Sequence, residues 1–194
     1  SGDFWDSWGA LYNQFNNTNA ATPFRGPGHW PDADMIPFGN VRTYNDADHW
    51  THFTKDEHYT LMTLWSIARS PLILGGNLPK NDDFTLSVLT NDEVLAVDQN
   101  STNNKQVFNR NNQVAWVADV PNSPDKYVAI FNTSPAPAGG RARGGRGGRG
   151  AASGGPAPAN PALNVITARD PTGASVALAS DPAPGTPAPA ATAG

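Results

Sequence analysis

Ten consecutive positions, Gly26-Pro27-Gly28-His29-Trp30-Pro31-Asp32-Ala33-Asp34-Met35, combine two carboxylates with a large ring and several residues that fix the backbone. In extended backbone an Asp-x-Asp pair projects both carboxylates to one side. Trp30 beside them offers a flat surface on which the apolar face of a sugar can stack. Together these features suit recognition of a polyol. Pro, Gly and Asp are equally the residues of turns, where Asp bonds neighbouring amides and Pro fixes φ. The decapeptide alone therefore leaves both a turn and a binding site open.

The elements around this stretch read as alternating helices and short strands. Phe4, Trp5, Trp8, Leu11, Tyr12 and Phe15 recur at three- and four-residue spacing, which predicts a helix over residues 4 to 15 with Asp3 as its N-cap. At that spacing Trp5 and Trp8, like Trp65 further on, read as core rather than as a substrate platform. Residues 16 to 22 read as a surface connection. Thr54-Lys55-Asp56-Glu57 fits a capping box ahead of an apolar helix through Ala68 that Pro71 stops. Leu72-Ile73-Leu74 before Gly75-Gly76 has the look of a strand buried on both faces, as in a parallel sheet. A helical stretch from about Phe84 to Val97, broken near Thr90-Asn91, completes a βα pattern. From Gln106 the period changes to two: Val114, Trp116, Ala118 and Val120 alternate with smaller or polar neighbours, residues 121 to 125 turn, and Tyr127 to Phe131 return as a hairpin. That change places a domain boundary near residue 104.

Composition separates the chain further. Residues 1 to 135 of the 194 hold all six Trp, eight Phe and four Tyr and carry a net charge of −7, so this part can build a core. Residues 136 to 194 hold no aromatic residue, carry +3 and are dominated by Gly, Ala and Pro. That composition cannot bury enough apolar surface to offset ordering entropy, and the expectation there is a disordered tail, ordered at most near Leu163 to Thr167 and Ser175 to Ala179. The acidic first part gives no case for a nucleic-acid partner. There is no cysteine, hence no disulfide framework, thiolate metal site or thiol nucleophile. No run approaches the length of a membrane span, so no membrane partner is expected. The chain opens at Ser1 without a leader and reads as a piece of something longer.

Four separated blocks then carry a resemblance. Gly2-Asp3-Phe4-Trp5-Asp6-Ser7-Trp8, Gly28 to Met35 with Gly39-Asn40, Leu64 to Leu78, and Leu89 to Gln99 stand in the order found in glycoside hydrolase family 27, the alpha-galactosidases or melibiases. The resemblance extends to about residue 133. It implies an α/β fold in which residues 1 to 103 are the last third of a (β/α)8 TIM barrel and residues 104 to 135 the start of an antiparallel β domain. It implies a retaining hydrolase of terminal alpha-galactosides, without cofactor, working through two carboxylates. On the matching positions Asp3 is the acid/base. Asp34 and Met35 line the galactose subsite, and Trp30 and Asp32 lie on the same loop, at the C-terminal end of a barrel strand. The family's nucleophile, in a Lys-x-Asp motif on an earlier strand, has no counterpart at a matching position. The 194 residues alone are therefore expected to be inactive. Where the family commonly has Asn or Asp and then Pro, this chain has Pro31 and Ala33. A secreted or periplasmic location is inferred from what such enzymes degrade.

Other readings compete. His49 and His52, with Asp46 and Asp48 close by, invite a metal site, yet their spacing matches no zinc motif and a solvated loop is the expectation, with no metal. Arg141 to Gly150 resembles an RGG segment of the kind that binds RNA, but lacks interleaved aromatics and reads as a linker. A non-catalytic carbohydrate-binding remnant is the remaining alternative. In each of the sugar readings the partner is a carbohydrate.

Overall fold

The computed structural model describes residues 3–42 and 47–134 together with the strand Ile166–Ala168. Asp46, the Arg141 to Gly150 segment and the rest of the expected tail lie outside the described residues.

The helix Lys55–Ala68, here α2, sits at the centre. Its capping box forms as the sequence predicts: the Glu57 amide donates to Thr54 Oγ1 and the Thr54 amide donates to the Glu57 carboxylate at 2.7 Å. Every residue from Thr60 to Ala68 is buried, so this helix packs on all sides instead of presenting one stripe. It ends at Arg69, in the left-handed region at φ 58°, two residues ahead of Pro71.

The first helix, α1, spans Trp8–Ala21, later than the aromatic spacing predicts. Its N-cap is Ser7, whose Oγ accepts the Ala10 amide at 3.3 Å; Asp3 lies outside the helix and is exposed. Phe4 misled the period because it is buried from the preceding loop, its ring 5.1 Å from Trp65 and 6.1 Å from Phe53. Trp5 is 39% exposed, not core. Residues 16 to 21 are helical rather than a connection, the Thr18 hydroxyl donating to the Gln14 carbonyl at 2.7 Å. Leu11, Gln14, Phe15 and Thr18 form the buried stripe.

Two segments, residues 36 to 40 and 73 to 77, run side by side in parallel. Ile36 donates to the Ile73 carbonyl at 2.7 Å, Gly75 to the Ile36 carbonyl at 2.9 Å, and Asn77 to the Asn40 carbonyl at 2.8 Å. The strand expected at Leu72 to Leu74 reduces to one bridge, Ile36 with Leu74. Ile73 and Leu74 are exposed, because among the described residues only one flank of this segment has a partner. A short antiparallel pair follows from the first segment: β1 (Asn40–Val41) with β2 (His49–Trp50), Val41 opposite His49. The two main chains approach so closely that a Cβ on Gly76 would lie 2.0 Å from the Phe38 carbonyl oxygen. Gly76→Ala is therefore expected to cost about 3 kcal/mol, the upper end for overpacking, because a backbone atom has to move. Gly9→Ala, in α1 with open space around it, should instead stabilise by about 0.5–1 kcal/mol. Urea denaturation of both variants checks the opposite signs.

Helices α3 (Asp83–Leu89) and α4 (Asp92–Asn100) are capped by Asp82 and Asn91, and the break between them falls at Thr90-Asn91 as the sequence predicts. Then come β3 (Thr102–Arg110), β4 (Gln113–Asp119) and β5 (Lys126–Asn132), an antiparallel meander with the turn where Pro121 to Asp125 stand. Val114, Trp116, Ala118, Ala129 and Phe131 fill its buried face. A further strand, β6 (Ile166–Ala168), adds antiparallel to β5. It overlaps Leu163 to Thr167, one of the two places where the sequence allows order in the tail, and supplies main-chain partners to the open edge of β5. Phe15 meets Phe131 edge-on at 5.0 Å, so one apolar core runs from α1 through α2 into the sheet.

Two guanidinium groups hold the end of α4 and the start of β3. Arg69 donates to the carbonyls of Asp98, Gln99 and Ser101 at 2.7–2.9 Å, and Arg25 donates to those of Ala68 and Asn104. Burial pushes the Asp98 carboxyl up to about 6, against the pull of Arg69. The unfolded group titrates near 4. Below about pH 4 the carboxyl is neutral in both states and the burial costs nothing. As pH rises towards 6 the folded state holds its proton while the unfolded state loses it, so stability falls. Above about pH 6 the full cost is present. Asp98→Asn is expected to raise stability by about 1 kcal/mol at pH 7, after discounting for partial exposure, and by nothing at pH 4. Urea midpoints at the two pH values measure the difference.

Candidate active site

Asp34 is the most constrained residue of the central motif. Its backbone adopts φ 79°, a region that non-glycine residues rarely enter. Its carboxylate explains why it stays there: Oδ2 accepts the Phe4 amide at 2.7 Å and Oδ1 accepts the Met35 amide at 2.6 Å. The Asp34 amide donates to Asp32 Oδ1 at 2.8 Å, and the buried Trp65 indole donates to the Asp34 carbonyl at 3.0 Å. On one side, Ser70 Oγ takes the Ala33 amide at 2.9 Å. Strain of this order, about 1–3 kcal/mol, persists where several bonds over-determine it, and such residues cluster at functional sites.

The Phe4–Asp34 bond joins two loops that are 30 residues apart. It brings the main chain next to Asp3 against the Asp34 carboxylate, with Met35 following directly and packed against Gly75, where a Cβ would meet Met35 Sδ at 2.5 Å. The residue after Asp3 is thus bonded to Asp34, which Met35 follows directly. Asp32 belongs to the same stretch as the support for the Asp34 amide, a turn role as well as a site neighbour. Asp3 is exposed, while Asp34 and Met35 are partly buried.

Trp30 is placed differently. The Arg69 guanidinium lies 4.2 Å from its ring centroid, so a cation–π contact occupies one ring face. The ring is 39% exposed, and with Phe24, His29 and Pro31 it lines a shallow concavity. Local sequence could not reveal this stack, because Arg69 is far along the chain.

Lys80-Asn81-Asp82 repeats the letters of the Lys-x-Asp motif but does another job. Asp82 accepts the Thr85 amide at 2.8 Å as the cap of α3, and hydrogen bonds from the Thr85 side chain and backbone hold its carboxyl below the usual range.

Of the four histidines, His58 is core. Burial lowers its pKa, its ring lies 4.2 Å from that of Phe38, and Nδ1 donates to the Thr54 carbonyl at 2.8 Å. His29 is exposed. His49 and His52 are not merely a solvated loop. Both face the buried Asp6 carboxylate, with His52 Nδ1 at 2.9 Å and His49 Nε2 at 3.4 Å from Oδ2, and their rings stack at 4.7 Å. Asp6 stands outside the group that spacing singled out, which is why sequence reasoning missed the cluster.

Comparison with known proteins gives this geometry its family. The chain matches alpha-galactosidases of rice, 29% identical over 134 residues, and of Dictyostelium discoideum (a probable alpha-galactosidase), 31% identical over 140 residues. These matches take in 68% and 70% of the chain but 30% and 34% of the relatives, so the chain spans about a third of their length. Among solved structures it is similar to a GH27 β-L-arabinopyranosidase from Geobacillus stearothermophilus. There the identity is 46% and the TM-score 0.66, over 69% of this chain and 32% of that one. It is also similar to a putative alpha-N-acetylgalactosaminidase from Bacillus halodurans, at 44% identity and TM-score 0.63, over 68% of this chain and 32% of that one. The family model described as alpha galactosidase A (Melibiase_2) matches residues 1–100, the residues that contain Asp3, Asp34 and the parallel segments. The chain belongs to that alpha-galactosidase family of glycoside hydrolases.

Proposed function

We propose that this chain carries the acid/base and part of the sugar subsite of a retaining O-glycoside hydrolase that releases terminal alpha-linked galactose. The observation that carries the reading is the 2.7 Å bond from the Phe4 amide to the Asp34 carboxylate, which couples the loop bearing Asp3 to the loop bearing Asp34 and Met35.

In this mechanism Asp3 enters as the neutral acid. It gives its proton to the glycosidic oxygen as the bond from that oxygen to the anomeric carbon breaks, while a nucleophilic carboxylate, its carboxyl group about 5–5.5 Å from that of Asp3, forms a bond to the same carbon. Asp3, now ionised, takes a proton from the water that hydrolyses the glycosyl-enzyme. The nucleophile belongs to an earlier barrel strand, in keeping with relatives about three times as long. Asp34 and Met35 supply sugar contacts. The free face of Trp30 is what remains for stacking.

A second substrate reading has its own support. Identity to the Geobacillus β-L-arabinopyranosidase is 46%, against 29% to the rice alpha-galactosidase. A β-L-arabinopyranoside presents the same ring hydroxyls as an alpha-galactoside without the hydroxymethyl group. The test is hydrolysis of paired aryl alpha-galactoside and aryl β-L-arabinopyranoside by a protein that contains this chain and the nucleophile strand, before and after Asp3→Asn. Turnover of neither glycoside overturns the proposal.

A further inference from the structure

Asp6, His49 and His52 reach one point from two places in the fold: the loop just before α1, and the segment of β2 with the residues after it. We propose that these three side chains bind a divalent transition-metal ion of the zinc class, fastening the loop that carries Asp3 to the β1–β2 pair.

The donor atoms Asp6 Oδ2, His49 Nε2 and His52 Nδ1 lie within 4.8 Å of one another. The two separations to the carboxylate, 2.9 and 3.4 Å, are those of neighbouring ligands on a shared ion. Bonds of about 2.0–2.1 Å at a tetrahedral centre set ligand atoms roughly 3.3 Å apart. Two imidazoles and one carboxylate suit zinc and its first-row neighbours rather than calcium or magnesium, which take oxygen.

Tautomer chemistry points the same way. His49 Nδ1 lies 3.4 Å from the Ala47 carbonyl, a contact in which the ring nitrogen is the donor. Nε2 of the neutral ring then carries a lone pair, and that atom is buried without a hydrogen-bond partner. It faces a carboxylate oxygen, also a lone-pair atom, at 3.4 Å. Two acceptors so placed repel unless a cation lies between them. A ligating histidine characteristically donates its other ring N–H to a backbone carbonyl, as His49 does to Ala47.

The scaffold holds the ligands ready. The His52 amide donates to Asp6 Oδ2 at 2.7 Å, orienting the carboxylate. β-pairing fixes His49 opposite Val41, and Asp6 is buried directly before the N-cap Ser7. The His52 side chain is 71% exposed, so a fourth position is open to water. Three protein ligands with one open place is a recurrent zinc arrangement. Asp6 stands three residues from Asp3, so an ion there would immobilise the acid/base loop.

The experiment is metal titration of the purified chain after treatment with chelator. One equivalent of cobalt(II) is expected to bind with visible ligand-field absorption, which zinc then bleaches by displacement. His49→Gln and His52→Gln should each weaken zinc by at least the about 10–100-fold that loss of an outer-shell partner costs. Asp6→Asn, which keeps an acceptor for the His52 amide and so preserves the loop, should do the same. His29→Gln, outside the cluster, should leave affinity unchanged. Absence of saturable uptake by the unaltered chain overturns the proposal. So does equal affinity in the His49→Gln/His52→Gln double variant. Should a histidine variant lose its helical circular dichroism, the unaltered chain and Asp6→Asn still decide.

Discussion

Asp3→Asn is expected to lower hydrolysis of an alkyl alpha-galactoside by about 10²–10⁴-fold, the usual worth of a positioned general acid. An aryl galactoside with an acidic phenol as leaving group should lose far less in its first step, because such a phenolate departs without a proton. Its second step still needs a base to activate water, so the glycosyl-enzyme should accumulate and the time course should show a burst. The assay is kcat/KM on both substrates in a protein that holds this chain together with the nucleophile strand. Equal losses on the two substrates would remove Asp3 from the acid role. The exposed position of Asp3, ahead of α1 and not capping it, gives the test a clean background: the substitution removes no cap.

Asp34→Asn should act on stability as well as on activity. Both carboxylate oxygens are acceptors for backbone amides, those of Phe4 and Met35. An Asn side chain has one oxygen and one amino group, so it can satisfy one amide while turning a donor toward the other. An unsatisfied, part-buried backbone donor costs about 1–3 kcal/mol. Asn tolerates positive φ at least as well as Asp, so the 79° backbone angle does not add to the cost. Urea denaturation is expected to give a loss of about 2 kcal/mol. In the active assembly kcat/KM should fall with it, since Asn cannot hold both the Phe4 amide of the Asp3 loop and the Met35 amide at once. Unchanged stability together with lost activity would mean that Asp34 contacts substrate without supporting the loop.

How much of this was legible in the sequence depended on how far apart the partners stand. The capping box of α2 is written within four residues, and the hairpin of β4 and β5 in an alternation that needs no knowledge of anything else; both formed where predicted. α1 starts later than the spacing predicts because Phe4 and Trp5 continue the helical period by coincidence. Phe4 packs on Trp65 and Phe53 from a loop, and Ser7, a better-placed hydroxyl, takes the cap. Trp30 looked like an open platform because the guanidinium that covers it belongs to Arg69. The Asp6 cluster was invisible for the same reason: His52 is 46 residues from Asp6, and no spacing rule reaches that far. The motif order around Asp3, Asp34 and the two glycines after Leu74 is readable as a family pattern, but the hydrogen bond from the Phe4 amide to Asp34 is not.

Arg69 and Arg25 grip main-chain oxygens, those of Asp98, Gln99 and Ser101 in one case and Ala68 and Asn104 in the other. Every amino acid supplies such an oxygen, so these contacts by themselves place no demand on which side chains stand at the gripped positions. They are exacting in another respect: one residue inserted or deleted between 98 and 104 would shift the gripped oxygens on one side of the change relative to those on the other. Chain length there, more than residue type, is what descent must conserve.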